Sequence, residues 1–135
     1  MMGDDTVREF LHSRGCPDDV VTLGLRGLLD AWERAVEQVE GGYPLGLDDY
    51  LNDLDGRQLL EDALEVAPKL DRAAARVRVE GADARMRRVA RIIHECLWGR
   101  RVAEQEGWTA DQNWWYFAVP QKPGPTLRED LNPSN

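Results

Sequence analysis

Residues 17–40 read PDDVVTLGLRGLLDAWERAVEQVE, and Val21, Leu25, Leu28, Trp32, Ala35 and Val39 recur within them at steps of four, three, four, three and four. That spacing lays a single apolar stripe along about six turns of α-helix. Pro17 suits the first helical position, Asp18 and Asp19 suit the positive end of the helix dipole, and Gly41-Gly42 ends the run. Gly24 and Gly27 each cost about 1 kcal/mol against Ala inside a helix, so a close neighbour is expected there.

Working toward the N-terminus, residues 5–13 form a short helix with Val7, Phe10 and Leu11 on one face. Toward the C-terminus, Leu47, Tyr50, Leu51 and Leu54 repeat at helical spacing, and Leu59, Leu60, Ala63 and Leu64 resume the pattern after Asp55-Gly56, where a bend or stop is expected. Pro68 sets a boundary because it lacks an N–H donor and disfavours helix in the residue before it. Leu70, Ala73, Ala74 and Val77 mark a further short amphipathic segment, ended at Gly81. A second long helix is expected over 83–106, capped by Asp83, with Met86, Val89, Ala90, Ile93 and Leu97 facing the core. Residues 113–120, NWWYFAVP, read as extended, and residues 121–135, with three prolines, as a loosely held tail. The expected fold is all-α: an irregular bundle of five to six helices over residues 1–120, with an extended aromatic C-terminal segment.

At 135 residues the chain fits one domain. Its acidic beginning, MMGDDTVREF, lacks the basic and apolar regions of a secretory signal, and no apolar run is long enough to cross a bilayer, so a cytoplasmic address is expected. Cys16 and Cys96 offer neither a disulfide framework nor metal-ligand spacing.

The net charge of −8 is unevenly placed. Residues 1–66 carry sixteen acidic and five basic side chains, a net of −11, whereas residues 67–101 carry four and ten, a net of +6. Asymmetry of this kind bears on partners and association rates.

Three groups of residues are candidates for chemistry. The first is the acidic belt Asp48, Asp49, Asp53, Asp55, Glu61, Asp62 and Glu65. With Gly56 at position six of a calcium loop, Asp53 and Asp55 fall at three and five and Asp62 at twelve. Position one is then Leu51, which has no oxygen to offer, so no metal site is expected. A catalytic carboxylate pair needs unlike environments, which a hydrated face does not give. A solvated helix surface and an electrostatic docking face for a basic protein remain open. The second group is Arg87, Arg91, His94, Trp98 and Arg101, at steps of four, three, four and three. It is open to internal pairing with Asp30, Glu33, Glu37 and Glu40, to a phosphate or nucleic-acid ligand, or to a protein partner. The third is Trp114, Trp115, Tyr116 and Phe117, a hydrophobic plug or an interface anchor. His94 and Cys96 lie too close along one helix to face each other, and no active-site motif is present.

A short, acidic, helix-rich chain carrying NWWYFAVP near its C-terminus resembles the small acidic bacterial immunity proteins that neutralise polymorphic toxins. The resemblance implies a noncatalytic protein that plugs or covers a toxin, often a basic nuclease, and it transfers no binding residue. The expected role is a protein-binding module without cofactor. Its partner surface comprises Asp48, Asp49, Asp53, Asp55, Asp62, Glu65, Trp114 and Trp115. The alternative is a small regulatory protein that holds nucleic acid or phosphate on the arginine stripe.

Overall fold

The computed structural model describes residues 2–132. Among them are six α-helices and one two-stranded sheet: α1 (Met2–Ser13), α2 (Asp18–Glu40), α3 (Leu47–Val66), α4 (Lys69–Val89), β1 (Ala90–Ile92), α5 (Arg100–Glu106), a 3₁₀ turn (Trp114–Phe117), β2 (Ala118–Pro120) and α6 (Pro125–Leu131). The all-α bundle expected from the sequence is therefore the fold. Helix α2 packs against α1, α3 and α4, and the aromatic turn and α6 pack on α3. No helix among the described residues is long and apolar enough to cross a membrane.

The α2 stripe buries as expected at Leu25, Leu28, Trp32, Ala35 and Val39. The helix is not straight, however. Gly24 adopts φ 61° and ψ −146°, a conformation that an L side chain rarely takes, and kinks the chain there. Arg8 of α1 sits beside it and donates from Nε and Nη2 to the Thr22 carbonyl at 3.2 and 3.0 Å.

Helix α3 runs through Gly56 without the expected bend, and α4 runs through Gly81 to Val89. The expected core face of the 70–77 segment is wrong. Leu70 and Val77 are 84% and 73% exposed, and Ala75, Val79, Ala82 and Met86 turn inward instead. The expected helix over 83–106 does not exist either. Its carbonyl ladder is intercepted by the C-terminal segment: Gln121 donates its N–H to the Val89 carbonyl at 2.8 Å, and its side chain to the Ala90 carbonyl at 3.2 Å. β1 then pairs antiparallel with β2, Ala90 opposite Pro120, Arg91 opposite Val119 and Ile92 opposite Ala118. Gly99, at φ 99°, starts the separate α5.

Residues 121–132 are not a loose tail. Pro125 opens α6, Leu127 is fully buried, and Asp130 Oδ2 accepts the Leu47 N–H at 2.9 Å, capping α3 from another helix. The last residues of the expected tail, 133–135, lie outside the described residues.

Arg57 lies buried, 2% exposed, at the crossing of these elements. Nε and Nη2 fork onto Asp83 of α4 at 3.1 and 2.9 Å, and Nη1 donates to Glu61 at 2.9 Å. The guanidinium lies 4.2 Å from the Trp115 ring centre. Asp83, expected as a helix cap, is thus an internal counter-ion that also accepts the Trp32 indole N–H at 2.9 Å. Glu61 takes a second fork from Arg76 at 3.1 and 2.8 Å.

Removing one partner of such a buried cluster leaves charge without compensation, which costs about 3–5 kcal/mol. Arg57→Met is expected to lower the unfolding free energy by that amount in urea titration. Arg57→Lys is not expected to restore it, because an ammonium cannot form the fork.

Burial pushes the Glu61 carboxyl up, but the hydrogen bonds from Arg76 and Arg57 outweigh it and hold the group below the usual carboxylate range. A depressed folded pKa gives stability that is present above the unfolded value of about 4.3 and lost as pH falls through the folded one. Denaturation measured across acid pH should show that loss in the wild type. Glu61→Gln should flatten it, and an unchanged slope would contradict the pairing.

Candidate functional site

Positions 55, 58, 59 and 62 share one face of α3, and the structure turns Asp55, Gln58, Leu59 and Asp62 into a cleft of about 570 Å³. The opposite wall is Trp98, Val102 and Glu106, contributed by α5 and the turn before it, with Trp108 and Tyr116 near Asp55 and Arg14 beside Asp62. Two turns of α3 make this floor about 10 Å long, and the volume falls in the range of small-ligand pockets.

The Asp55 end is built by the aromatic segment. Trp114–Phe117 forms a 3₁₀ turn rather than a strand, which puts Trp115 against Arg57 and sends the Tyr116 hydroxyl to Asp55 Oδ1 at 2.7 Å. The same oxygen accepts the Trp98 indole N–H at 3.0 Å. Trp108 stacks on Tyr116, ring centres 3.9 Å apart and planes 16° from parallel. Burial, then the bond to Asp55, pushes the Tyr116 phenol up, so it stays protonated and donates.

At the other end Gln58 bridges the structure: its Oε1 accepts from Asn113 at 2.9 Å and its Nε2 donates to Asp62 Oδ1 at 3.0 Å. Asp62 Oδ2 accepts Arg14 Nη2 at 3.1 Å, and the Arg14 guanidinium lies 5.1 Å from the Phe10 ring centre. Cys16 lines the same cleft as a free thiol.

The acidic belt therefore divides. Asp48, Asp49 and Glu65 are exposed and make no ion pair among the described residues. Asp55 and Asp62 face the cleft. Asp53 does not belong to a docking surface: it is half-buried, accepts the Tyr43 hydroxyl at 2.6 Å, and burial raises its carboxyl against that bond. Trp114 and Trp115 are 6% and 2% exposed and cannot anchor a partner; all four rings of the aromatic run pack inside.

The arginine stripe is dismantled by the break at Ala90. Arg87 ends α4 with its guanidinium 4.2 Å from the Trp114 ring centre, Arg91 is exposed on β1, and Arg101 is exposed on α5. Trp98 joins the cleft. His94 lines a separate depression with Cys96, Arg100 and Glu104. The two residues are off any helix and share that depression, contrary to the sequence reading, but His94 makes no hydrogen bond to Cys96, and burial pushes the thiol up. Three acids of α2 are paired by other arginines: Arg78 with Glu33 and Asp30 at 2.6 and 2.8 Å, and Arg85 with Glu40 at 2.6 Å; Glu37 is in no ion pair among the described residues.

Sequence reasoning missed Arg14, Gln58, Glu106 and Trp108 as cleft residues, because no periodicity links them. It also missed Glu129 and Asp130, which α6 places beside Asp48. Among the described residues, no group of three or more His, Cys, Asp or Glu side chains is placed to hold a metal ion. Comparison with known protein families, with curated proteins and with solved structures finds no match.

Proposed function

We propose that this chain is a noncatalytic, cytoplasmic protein-binding module whose partner is basic. The observation that carries the reading is the selective neutralisation of its acids. Arginines of α4 pair Asp30, Glu33 and Glu40 of α2, whereas Asp48 and Asp49 at the start of α3 and Glu129 on α6 are exposed and in no ion pair among the described residues. Unpaired charge of one sign on adjoining helices steers an oppositely charged partner and speeds encounter. Two free thiols suit a reducing compartment. Immunity-type inhibition of a basic toxin is the specific form we favour, on the character the sequence shares with small acidic immunity proteins. The nucleic-acid alternative loses its support with the arginine stripe.

An arginine-rich dodecapeptide serves as the basic probe in stopped-flow measurements at low salt. Asp48→Lys with Asp49→Lys should slow association well beyond Asp18→Lys with Asp19→Lys, which changes net charge equally at the start of α2. Equal slowing would reduce the effect to overall charge and overturn the reading. The immunity form carries its own requirement: a gene for a large secreted protein with a variable C-terminal domain should lie directly upstream, and a neighbourhood without one counts against it.

A further inference from the structure

We infer that the cleft between α3 and α5 is a recognition pocket for a guanidinium, the side chain of an arginine on the partner. This rests on the basic-partner reading and deepens it.

The sign of the ligand follows from the lining. Asp55, Asp62 and Glu106 contribute three carboxylates against the single guanidinium of Arg14. Phosphates and carboxylates are repelled, and a cation is attracted. Its shape follows from the aromatic wall. Trp98 is 39% exposed and its indole N–H is tied to Asp55, so a π-face is held beside a carboxylate. A planar, weakly hydrated guanidinium stacks on such a face and bonds the acid at its edge, whereas an ammonium is held by its water. Leu59 and Val102 line the cleft as well and give the aliphatic stem of an arginine an apolar surface.

The cleft already holds a group of this kind. Arg14, on the loop after α1, bonds Asp62 Oδ2 at 3.1 Å while lying over the Phe10 ring. That is one carboxylate and one aromatic ring around one guanidinium. The Asp55 end repeats the combination with Trp98, and there no cation is seated. Asp55 Oδ1 takes both the Tyr116 hydroxyl and the Trp98 N–H, leaving Oδ2 with no donor among the described residues. A carboxylate oxygen beside an indole, in a cavity large enough for one side chain, is the open half of that arrangement.

The test uses the intact protein and Cys16, which lines the cleft, as a local reporter. Alkylation of Cys16 by iodoacetamide is followed by peptide mass spectrometry, with the buried Cys96 as internal control. Acetyl-arginine amide should slow Cys16 alkylation severalfold, and acetyl-citrulline amide, its neutral isostere, should leave the rate unchanged. Asp55→Asn should weaken protection by roughly tenfold or more, the loss of a charge-assisted bond. Asp71→Asn, an exposed carboxylate of α4 outside the cleft, should keep it. Equal protection by the arginine and citrulline probes overturns the inference on wild-type protein alone, as does no protection by either. Because the probe is a single residue, that failure is separate from the association rates above and leaves the wider acidic surface standing.

Discussion

The Arg57 guanidinium is the constraint on which the remainder of the structure depends. It is removed from water, so its charge must be answered by groups fixed at the right places. Asp83 answers from α4 and Glu61 from the next turn of α3, while Trp115 covers its face from the C-terminal segment. Trp32 of α2 completes the arrangement through Asp83. With Arg76 included, two cations meet two anions and the cluster is neutral. Such a network contributes less to net stability than apolar packing of equal volume, but it admits few alternative registers of α3 against α4. One sign of the demand it makes is the Trp115 indole N–H, which is buried with no acceptor among the described residues. The ring is placed for its face, over the cation, and its donor goes unanswered.

That placement also builds the cleft. Trp115 and Tyr116 are neighbours in one 3₁₀ turn, so their side chains leave it about 120° apart. When the first is drawn onto Arg57, the second is carried to Asp55, two residues earlier on the same helix. Tyr50 fixes the far side of the segment, its hydroxyl donating to the Ala118 carbonyl at 2.6 Å. The core ion cluster and the candidate site therefore share α3 as floor and the aromatic run as clamp. The surface charge is ordered by the same packing, because α4 in this register turns Arg78 and Arg85 toward the acids of α2 and none of its arginines toward the start of α3.

How much of this could be read from the residues depended on whether the signal was local. The α2 stripe was legible because five large or branched side chains repeat over several turns, and Pro68 was legible because its missing donor acts at once on its neighbours. Gly24 signals a close neighbour without naming it; that neighbour is Arg8, which reaches the Thr22 carbonyl fourteen residues away beside the positive φ. The end of α4 at Val89 carries no Pro or Gly, since the groups that stop it arrive from residue 121. Leu70 and Val77 match a core face as well as Val79 and Met86 do, and only the tertiary position of Arg57 and Asp83 decides which side turns in. Of the site, the sequence singles out Asp55, Asp62, Trp98 and Tyr116, though in three groups with different expected roles. Their convergence is a product of the end of α4 at Val89, which periodicity alone conceals.

The two walls of the cleft differ in how firmly they are held, and that difference bears on recognition. The floor is α3, fixed by Arg57 and by six other buried side chains along its length. The facing wall is α5, seven residues long, with none of them buried. It is bounded by Gly99 and Gly107, at φ 99° and 75°, and tied mainly through Trp98 to Asp55, the Trp108 stack on Tyr116, and the Leu97 N–H to the Tyr116 carbonyl at 2.8 Å. An element with few buried contacts opens locally at low free-energy cost. The carboxylate floor is the firmly held side of the cleft, and the aromatic wall is the side more readily displaced. Since the ties of that wall run through Asp55 and Tyr116, whatever occupies the Asp55 end acts on the hinge of the wall as well as on the floor.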